Sequence, residues 1–574
     1  MELNVLPNQS DSNSGGCGCG SGDCGCGSEK SEGGNLIPLT AVASAEPSRP
    51  PLNMEKLRKK LANQNGQKYW RSLEELADDS QFKELVDREF PRQAPGSWQG
   101  VSRRDFLRLM GAGLALAGLS GCARQPDEHI TPYVKMPEDT LPGRPLFYAT
   151  AETRNGFGRG LLVRSNMARP TKIDGNPDHP TSLGSTDAIT QATLLSMYDP
   201  DRSQRVLLKG EESQWSAFVE AVTVAVEKQK SAGGAGLRVL TETITSPTLA
   251  SQMQALLKKF PQAQWHQWEV NNRDNVKQGA QMSFGRDVQT VYDLKSVKTI
   301  LSLDANFLYE GPDSVRLARE FADGRRVRHD NTEMNRLYVV ESTPTITGTS
   351  ADHRWPLKAS SVESFTRAIA AAVGVAGACE STFSADKRVQ EMANDLIANQ
   401  GKSLVIPGEY QSAVVHALAH AINAKLGAVG KSVKYTEMVE ANPTVHADSL
   451  SALVADMKAG RVQSLFILGG NPVYDAPADL KFSEALQKVP LTAHVGLYND
   501  ETASWCNWHV PQTHFLEEWS DVRAYDGTTS IVQPLIAPLY EGKSFHEILA
   551  VLLGQTNRKG YDIVREYWRG KHSV

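Results

Sequence analysis

Cysteine is scarce in this 574-residue chain, and its distribution is uneven. The seven cysteines are Cys17, Cys19, Cys24, Cys26, Cys122, Cys379 and Cys506. Four of them crowd a Gly-rich N-terminal stretch and one stands alone, which excludes the dense disulfide framework of small secreted domains. For Cys379 and Cys506 two interpretations stay open, a disulfide or two buried free thiols. We favour the thiols, because free cysteine behaves as a small hydrophobe.

A strong charge imbalance is also lacking. The chain has 61 Lys+Arg against 66 Asp+Glu, a formal net charge of -5. No global field therefore draws it to nucleic acid or to anionic lipid, and we expect no nucleic-acid partner. Hydrophobic residues make up 40% and charged residues 22%, which leaves ample apolar surface for packed cores. At about 100–200 residues per domain, the length predicts several folded units.

The uncharged run 109–121 is too short to cross a bilayer, which needs about 20 residues. It suits the apolar segment of a signal peptide, and it follows a stretch of twin-arginine form, Ser-Arg-Arg-Asp-Phe-Leu-Arg. The motif is carried by Arg103, Arg104, Phe106 and Leu107. The sequence therefore predicts export by the twin-arginine (Tat) route, with an extended signal that begins after about a hundred residues.

Cys122 ends this run in Leu-Ser-Gly-Cys, the form of a lipobox whose cysteine takes a diacylglycerol. The alternative is a buried helix that happens to begin with two arginines. Gly111 and Gly113 argue against it, since an interior glycine costs roughly 0.5–1 kcal/mol in a helix. We expect a lipid-anchored protein on the periplasmic (outer) face of the bacterial cytoplasmic membrane.

Composition divides the N-terminal part into segments. Residues 1–53 predict a disordered Gly/Ser/Cys-rich tail. Its thiols between Cys17 and Cys26 offer ligands to a soft metal, but a plain low-complexity tail is the favoured interpretation. Residues 54–100 predict a short helical leader element, 101–122 the Tat signal with its lipobox, and 123–145 a proline-rich linker.

Beyond the linker, apolar β-rich runs alternate with helical patterns. The predicted strands are 239–243, 299–303, 336–341, 403–407 and 464–468, and the predicted helices are 249–260, 313–322, 411–426 and 481–488. This alternation implies right-handed crossovers between parallel strands. The predicted fold class is α/β, with several layers of parallel sheet and helices on both faces, preceded by the disordered tail and the Tat lipoprotein signal.

Several stretches resemble the molybdopterin oxidoreductase superfamily. Residues 173–180 and 198–202 resemble the end of that family's iron–sulfur domain. Leu-Gly-Gly-Asn-Pro at 468–472 resembles the turn that faces the pterin, and 500–511 resembles the family's TETA…ADVVLP segment. The resemblance covers roughly residues 146–553 and implies the same α/β fold.

The resemblance is closer to one subgroup, the B subunit of alternative complex III, and here to its molybdopterin-oxidoreductase-like half with an extended Tat signal. It is carried by residues 69–76, 334–342 and 351–354. That family belongs to a quinol-oxidising respiratory assembly. The resemblance implies three partners: a ferredoxin-like iron–sulfur protein or domain, a polytopic quinol-binding membrane subunit and a c-type haem subunit.

The iron–sulfur cluster that the superfamily implies needs four cysteine thiolates, and no cysteine lies between Leu146 and Arg202. Residues 153–159 stand where the early thiolates belong, and Ser185, Thr186 and Asp187 where the fourth belongs. Serine or aspartate as a substitute ligand is disfavoured, because thiolates hold these clusters. We therefore interpret 146–210 as a degenerate iron–sulfur-domain remnant and 211–574 as the molybdopterin-oxidoreductase-like α/β body.

Other candidate residues have a structural and a functional interpretation. They are Asn471, the histidines His416, His420, His494, His509 and His514, and the tryptophans Trp505, Trp508 and Trp519. Asn471 suits a cap or a turn as well as a ligand contact. The histidines lack a third ligand at regular spacing, and the tryptophans suit core or interface anchors. We assign no catalytic, cofactor-binding or metal-binding residue.

The sequence thus predicts a non-catalytic, cofactor-free subunit that scaffolds iron–sulfur and haem partners in a membrane quinol-oxidising respiratory complex. The clusters and the haem are expected in partner subunits. An alternative is an exported molybdopterin-dependent oxidoreductase that acts on a small substrate. A further alternative is a lipoprotein that binds a small ligand in the cleft that the resemblance to molybdopterin oxidoreductases implies.

Overall fold

The computed structural model describes residue 141 and residues 143–327, 332–379 and 381–571. Within these ranges, no helix combines the length and the apolarity needed to span a bilayer. The predicted tail, leader element, Tat signal with Cys122, and nearly all of the linker lie outside the described residues. The predicted domain boundaries stay predictions.

The strands, in chain order, are β1 (Leu146–Arg154), β2 (Phe157–Asn166), β3 (Arg169–Gly175), β4 (Leu207–Leu208), β5 (Glu211–Glu212), β6 (Leu237–Thr241), β7 (Gln264–Gln267), β8 (Gln289–Tyr292), β9 (Thr299–Leu303), β10 (Arg336–Glu341), β11 (His353–Pro356), β12 (Ser403–Pro407), β13 (Val433–Thr436), β14 (Ser464–Leu468), β15 (Leu491–Gly496), β16 (Trp508–Pro511), β17 (Ser520–Arg523) and β18 (Thr529–Val532).

The α-helices are α1 (Ala188–Met197), α2 (Trp215–Lys230), α3 (Pro247–Lys259), α4 (Asp274–Phe284), α5 (Ser314–Gly324), α6 (Ile346–Thr349), α7 (Val362–Val373), α8 (Lys387–Ala398), α9 (Ala413–Lys425), α10 (His446–Lys458), α11 (Pro472–Asp475), α12 (Phe482–Leu486), α13 (Glu501–Trp505), α14 (Phe545–Leu552) and α15 (Gly560–Lys571).

A seven-stranded sheet has the order β5-β4-β16-β15-β14-β6-β7. The five strands from β16 to β7 are parallel, and the short β4–β5 hairpin adds an antiparallel edge. Every residue of β6 and β14 is buried, as expected for strands covered on both faces. One face packs against α2, α3 and α14, and the other against α10 and α12. The chain proceeds outward from β6 to β7 and returns to β14 on the opposite side of β6.

A second sheet, β11-β10-β9-β12, is parallel throughout. Its two faces carry separate apolar clusters, one formed with α7, α8 and α9 and one with α5. An antiparallel ribbon of β8 and β13 runs beside the second of these clusters. The predicted α/β fold with helices on both faces of parallel sheets is therefore confirmed.

The remaining strands are antiparallel. β1, β2 and β3 form a meander, and the hairpin of β17 and β18 packs against it. Thr150 on β1 exchanges hydrogen bonds with Gln533 just after β18, at 3.1 and 3.0 Å. Ala151 is buried between these elements with Val522 and Val532. The meander is thereby fixed to the C-terminal part of the chain.

Candidate functional site: an acidic cavity at the ends of the parallel strands

A cavity of about 390 Å³ opens at the carboxyl ends of β6, β14 and β15. Thr241, Leu468 and Leu497 mark these strand ends in its wall. The chain reverses its direction of progress across the sheet between β6 and β14, so the cavity lies at the topological switch point where open α/β sheets bind ligands. β1 and the segment around β17 close its other sides.

Carboxylates dominate the wall of this cavity. They are Glu152, Glu242, Glu269, Asp475, Glu518 and Asp521. Among the described residues, no lysine or arginine lines it. We call this space the acidic cavity and these six residues its carboxylates. The arrangement concentrates negative charge in a chain whose net charge is only -5.

Glu242 follows the last residue of β6 and faces the cavity. Desolvation by the surrounding protein, with repulsion from Glu269 and Asp475, raises the pKa of Glu242 to about 8. A Cβ on Gly469 would lie 2.7 Å from Glu242 Oε2, and the φ of Gly469 is +76°. The positive φ therefore favours glycine here, and a Cβ would also require the end of the Glu242 side chain to shift.

Glu269 and Asp475 stand beside Glu242. Glu269 accepts hydrogen bonds from the backbone N–H and the hydroxyl of Thr243 at 3.1 and 3.0 Å, while burial raises the pKa of Glu269 to about 6. Asp475 accepts a hydrogen bond from Trp268 Nε1 at 2.7 Å. Burial is also the largest cause of the raised pKa of Asp475.

Two further glutamates line other parts of the wall. Burial raises the pKa of Glu518 to about 8, although Thr513 donates a hydrogen bond to it at 2.5 Å. Burial raises the pKa of Glu152 to about 7, outweighing the opposing effects of hydrogen bonding by Thr190 and of the charge of Arg159. The cavity therefore holds several acids that are partly protonated near neutral pH.

Asp521 lies at the N-terminus of α3, where a helix offers unpaired N–H groups and a positive dipole to anions. Its carboxylate accepts hydrogen bonds from the Ser246 and Thr248 hydroxyls, from Thr248 N at 3.2 Å and from Trp568 Nε1 at 2.8 Å. Ser246 also caps the helix by accepting from Leu249 N at 3.0 Å. An internal carboxylate thus occupies the anion-binding end of this helix.

His494 and His509, fifteen residues apart, are direct neighbours on β15 and β16. Their Nδ1 atoms lie 3.2 Å apart, His494 Nε2 lies 3.1 Å from Gly470 O, and His509 Nε2 lies 2.6 Å from Ser203 Oγ. Because a carbonyl accepts only, the pattern assigns Ser203 as donor to His509, His509 as donor to His494, and His494 as donor to Gly470. Burial lowers the pKa of both histidines, that of His509 to about 3, so both imidazoles in this hydrogen-bonded series are neutral.

His514 lies apart from that pair. Its Nδ1 accepts from Leu516 N at 3.3 Å, and its Nε2 lies 3.1 Å from Thr193 O. The three histidines therefore do not converge. Among the described residues, no group of three His, Cys, Asp or Glu side chains is placed to hold a metal ion.

The two stretches predicted at the positions of the iron–sulfur ligands do lie together. Asp187 caps α1 by accepting from Thr190 N at 2.8 Å, and it pairs with Arg154 Nη1 at 2.9 Å and with Arg159. Residues 155 and 156 form the tight turn between β1 and β2, with φ values of 47° and 78°. An ion-pair network occupies the place where the resemblance implies thiolates.

The other candidates have structural roles. Asn471 joins the N-termini of α11 and α13, since its Oδ1 accepts from Thr502 N at 3.1 Å and its Nδ2 donates to Glu501 at 2.7 Å. His416 and His420 line a separate cavity of about 90 Å³, and His420 pairs with Tyr435 at 2.9 Å. Burial lowers the pKa of His416 to about 3 and that of His420 to about 4.

The tryptophans and cysteines have mixed environments. Trp508 is buried against Phe218, Trp519 contacts Tyr561 edge to face, and Trp505 is exposed. Neither Cys379 nor Cys506 forms a disulfide. The expectation of two buried thiols is wrong for Cys379, which is exposed, because it lies in the loop beyond α7 rather than in a packed element. Burial raises the pKa of Cys506 to about 12.

The carboxylates of the acidic cavity are not among the residues predicted from the sequence. They come from five separate regions of the chain, and no local pattern of charge or hydrophobicity distinguishes them from surface acids. Position was the available signal: Glu242 directly follows a buried parallel strand, and such strand ends meet at one edge of a sheet.

The fold belongs to a recognisable class. The described structure is similar to acetylene hydratase from Pelobacter acetylenicus, a molybdopterin-type enzyme, with a TM-score of 0.52 and 13% sequence identity, over 71% of this chain and 69% of that chain. The chain therefore has a molybdopterin-oxidoreductase-like α/β fold. The activity of that enzyme does not follow from the shared fold.

In sequence, the chain is similar to the menaquinone reductase, molybdopterin-binding-like subunit, of Nitratidesulfovibrio vulgaris. The two are 24% identical over an alignment of 443 residues that covers 69% of this chain. The chain spans 63% of the length of that relative. No family model matches the chain.

The residues of the cavity do not fit the phosphate-bearing pterin that the resemblance implies. A phosphate needs cations or free N–H groups, whereas the cavity offers six carboxylates, and Asp521 already occupies the N-terminus of α3. The remnant does not fit an iron–sulfur cluster either, since Arg154, Arg159 and Asp187 fill the place of its ligands.

Proposed function

We propose that this chain is a cofactor-free, non-catalytic subunit of a membrane quinol-oxidising respiratory complex, and that it positions electron-carrying partners. The observation that carries the proposal is that no lysine or arginine among the described residues lines the acidic cavity. An anionic pterin phosphate therefore gains no attraction there to offset its desolvation.

The quinone link rests on the relative, which is named as a subunit of a menaquinone reductase, and on the resemblance to the B subunit of alternative complex III. We propose the same three partners: a ferredoxin-like iron–sulfur protein or domain, a polytopic quinol-binding membrane subunit and a c-type haem subunit. Electrons pass through those partners. This chain contributes a folded surface.

We also propose that the chain is exported by its twin-arginine signal and anchored through Cys122 on the periplasmic face of the membrane. Twin-arginine export carries folded cargo, which suits a subunit that assembles with partners before it crosses. The Tat motif and the lipobox, which occur in this order in the sequence, support the proposal.

The proposed function predicts that quinol oxidation by the complex does not depend on molybdenum or tungsten. The experiment isolates the complex from cells grown without either metal and measures its quinol oxidation. A molybdenum enzyme of the same cells serves as the control for depletion. Unchanged quinol oxidation alongside loss of the control activity supports the proposal. Parallel loss of both activities would favour the alternative, a molybdopterin-dependent oxidoreductase.

A further inference from the structure

The acidic cavity contains a polar atom that the fold itself does not satisfy. Glu152, on β1, is 5% exposed, and its Oε2 has no hydrogen-bond partner. Thr190 and Thr193 lie near Glu152, but neither hydroxyl is in hydrogen-bond geometry with Oε2, and the Thr193 hydroxyl donates to Thr190 O instead. Arg154 and Arg159 also lie near Glu152, but both pair with Asp187. Buried carboxylates are almost always paired, so the Glu152 carboxylate, which lines the cavity, points to a donor bound there.

The spacing of the carboxylates restricts the kind of donor. No three acidic, histidine or cysteine side chains among the described residues are close enough to ligate one metal ion. The acidic groups are instead distributed around a cavity of about 390 Å³, a volume in the range of small-molecule sites. Between them the wall carries the apolar faces of Trp268, Phe515 and Phe545. A ligand with separated positive charges and apolar links matches this surface.

We propose that the acidic cavity binds a linear di- or polyamine, whose ammonium groups pair with Glu152 and with the group formed by Glu242, Glu269 and Asp475. The methylene segments of such a ligand pack on the aromatic walls, and each terminal ammonium donates up to three hydrogen bonds to carboxylate oxygens. This inference rests on the proposed absence of a pterin from the same cavity.

The acid–base state of the cavity agrees with this ligand. Repulsion from Glu269 and Asp475 adds to desolvation by the surrounding protein in raising the pKa of Glu242. Burial raises the pKa of Glu152 against hydrogen bonding by Thr190 and the attraction of Arg159 and Arg154. These acids therefore retain protons near neutral pH when the cavity holds no cation. An ammonium ion favours the ionised carboxylates, so its binding releases protons.

The test is calorimetric titration of the full chain with spermidine, in two buffers of different ionisation enthalpy and at constant ionic strength. We expect saturable binding with proton release in the wild-type protein. Glu152→Gln and Glu242→Gln should each weaken binding by about tenfold or more, since each removes one charge partner. Glu220→Gln, which alters an exposed glutamate on α2, should leave the affinity within about twofold.

Several results would overturn the inference. They are the absence of saturable binding, equal affinity in all four proteins, and equal competition by Mg²⁺ at the same ionic strength, which would indicate general counterion binding. Binding to the isolated chain that is lost in the purified complex would also overturn it, because a lysine of a partner would then fill the cavity. Circular dichroism of each variant confirms that it is folded.

Metal analysis of the same sample separates this inference from the proposed function. Stoichiometric molybdenum or tungsten would contradict the proposed function. A metal-free chain that does not bind spermidine would contradict the polyamine site alone.

Discussion

At the scale of single residues, charged side chains stand where the resemblance implies cysteine thiolates. Asp187 stands where a cluster ligand is expected, yet it caps α1 and pairs with Arg154 and Arg159. The lack of cysteine in this stretch was evident from the sequence. The ion pairs were not, because they join residues about thirty positions apart whose contact depends on the β1–β2 turn.

Asp187→Asn tests the structural role of this network. Asparagine retains the helix cap but not the charge, so both arginines lose their partner in a mostly buried site. We expect a loss of about 2 kcal/mol in the free energy of unfolding, measured by chemical denaturation. Asp386→Asn is the matched control, since Asp386 caps α8 and pairs with Arg388 in an exposed site. A loss as large in the control would contradict a special role for Asp187.

Glu242 makes stability depend on pH. Its folded-state pKa of about 8 lies above the ordinary value of 4.5, so the folded state keeps a proton that the unfolded chain releases. Its contribution to stability therefore falls as the pH rises from about 4.5 to about 8. Glu242→Gln removes this dependence.

As the pH rises across this window, we expect the free energy of unfolding of Glu242→Gln to increase relative to that of the wild type. The gain should be on the order of 1 kcal/mol, because water in the cavity screens the charge. Urea denaturation at several pH values measures it. Glu220→Gln should show no such trend, and a constant difference between Glu242→Gln and wild type across the window would contradict the assignment.

At the scale of elements, the sequence predicted the central strands best. The bounds of β9, β10, β12 and β14 match the predicted runs, because strands buried on both faces are continuous apolar segments between turn residues. The helix ends differ by a few residues, since caps such as Ser246 depend on φ and ψ. The antiparallel hairpins and the histidine pair were not predicted, because cross-strand register is not written in either strand alone.

The turn after β14 predicts that substituting alanine for Gly469 costs more stability than the same substitution at Gly210. Gly469 and Gly210 both have positive φ, but a Cβ at Gly469 would meet Glu242, whereas a Cβ at Gly210 would meet nothing within 4 Å. Gly210→Ala should cost about 1 kcal/mol from backbone strain, and Gly469→Ala about 1 kcal/mol more. Chemical denaturation gives both values. Equal losses would mean that the approach of Glu242 does not constrain this turn.

At the scale of the whole molecule, the fold is of a known class, but the chemistry of the cavity wall is not what the resemblance implies. The parallel sheets and the cavity at their switch point have the arrangement of a ligand-binding α/β protein, while the wall of the cavity is acidic. Composition did not reveal this, because a net charge of -5 is the sum over the whole chain and the carboxylates meet only in the fold.

The proposed membrane attachment is also tested at the scale of the whole molecule. The lipobox predicts that Cys122→Ala leaves export intact but removes the acyl chains, and two acyl chains are what makes anchoring stable. After the complex is dissociated, we expect the variant in the soluble fraction and the wild type in the membrane fraction. Arg103→Lys with Arg104→Lys should instead keep the chain in the cytoplasm. Membrane retention of Cys122→Ala after dissociation would contradict a lipid anchor.

The central claim, that this chain carries no pterin and no cluster, is tested most directly by the cofactor content of the purified full chain. The measurement determines molybdenum, tungsten, iron and released pterin per chain, together with the visible absorption spectrum. We predict a colourless protein with none of the four in stoichiometric amount. One molybdenum or tungsten atom with pterin per chain, or four irons with sulfur-to-iron absorption, would contradict the account.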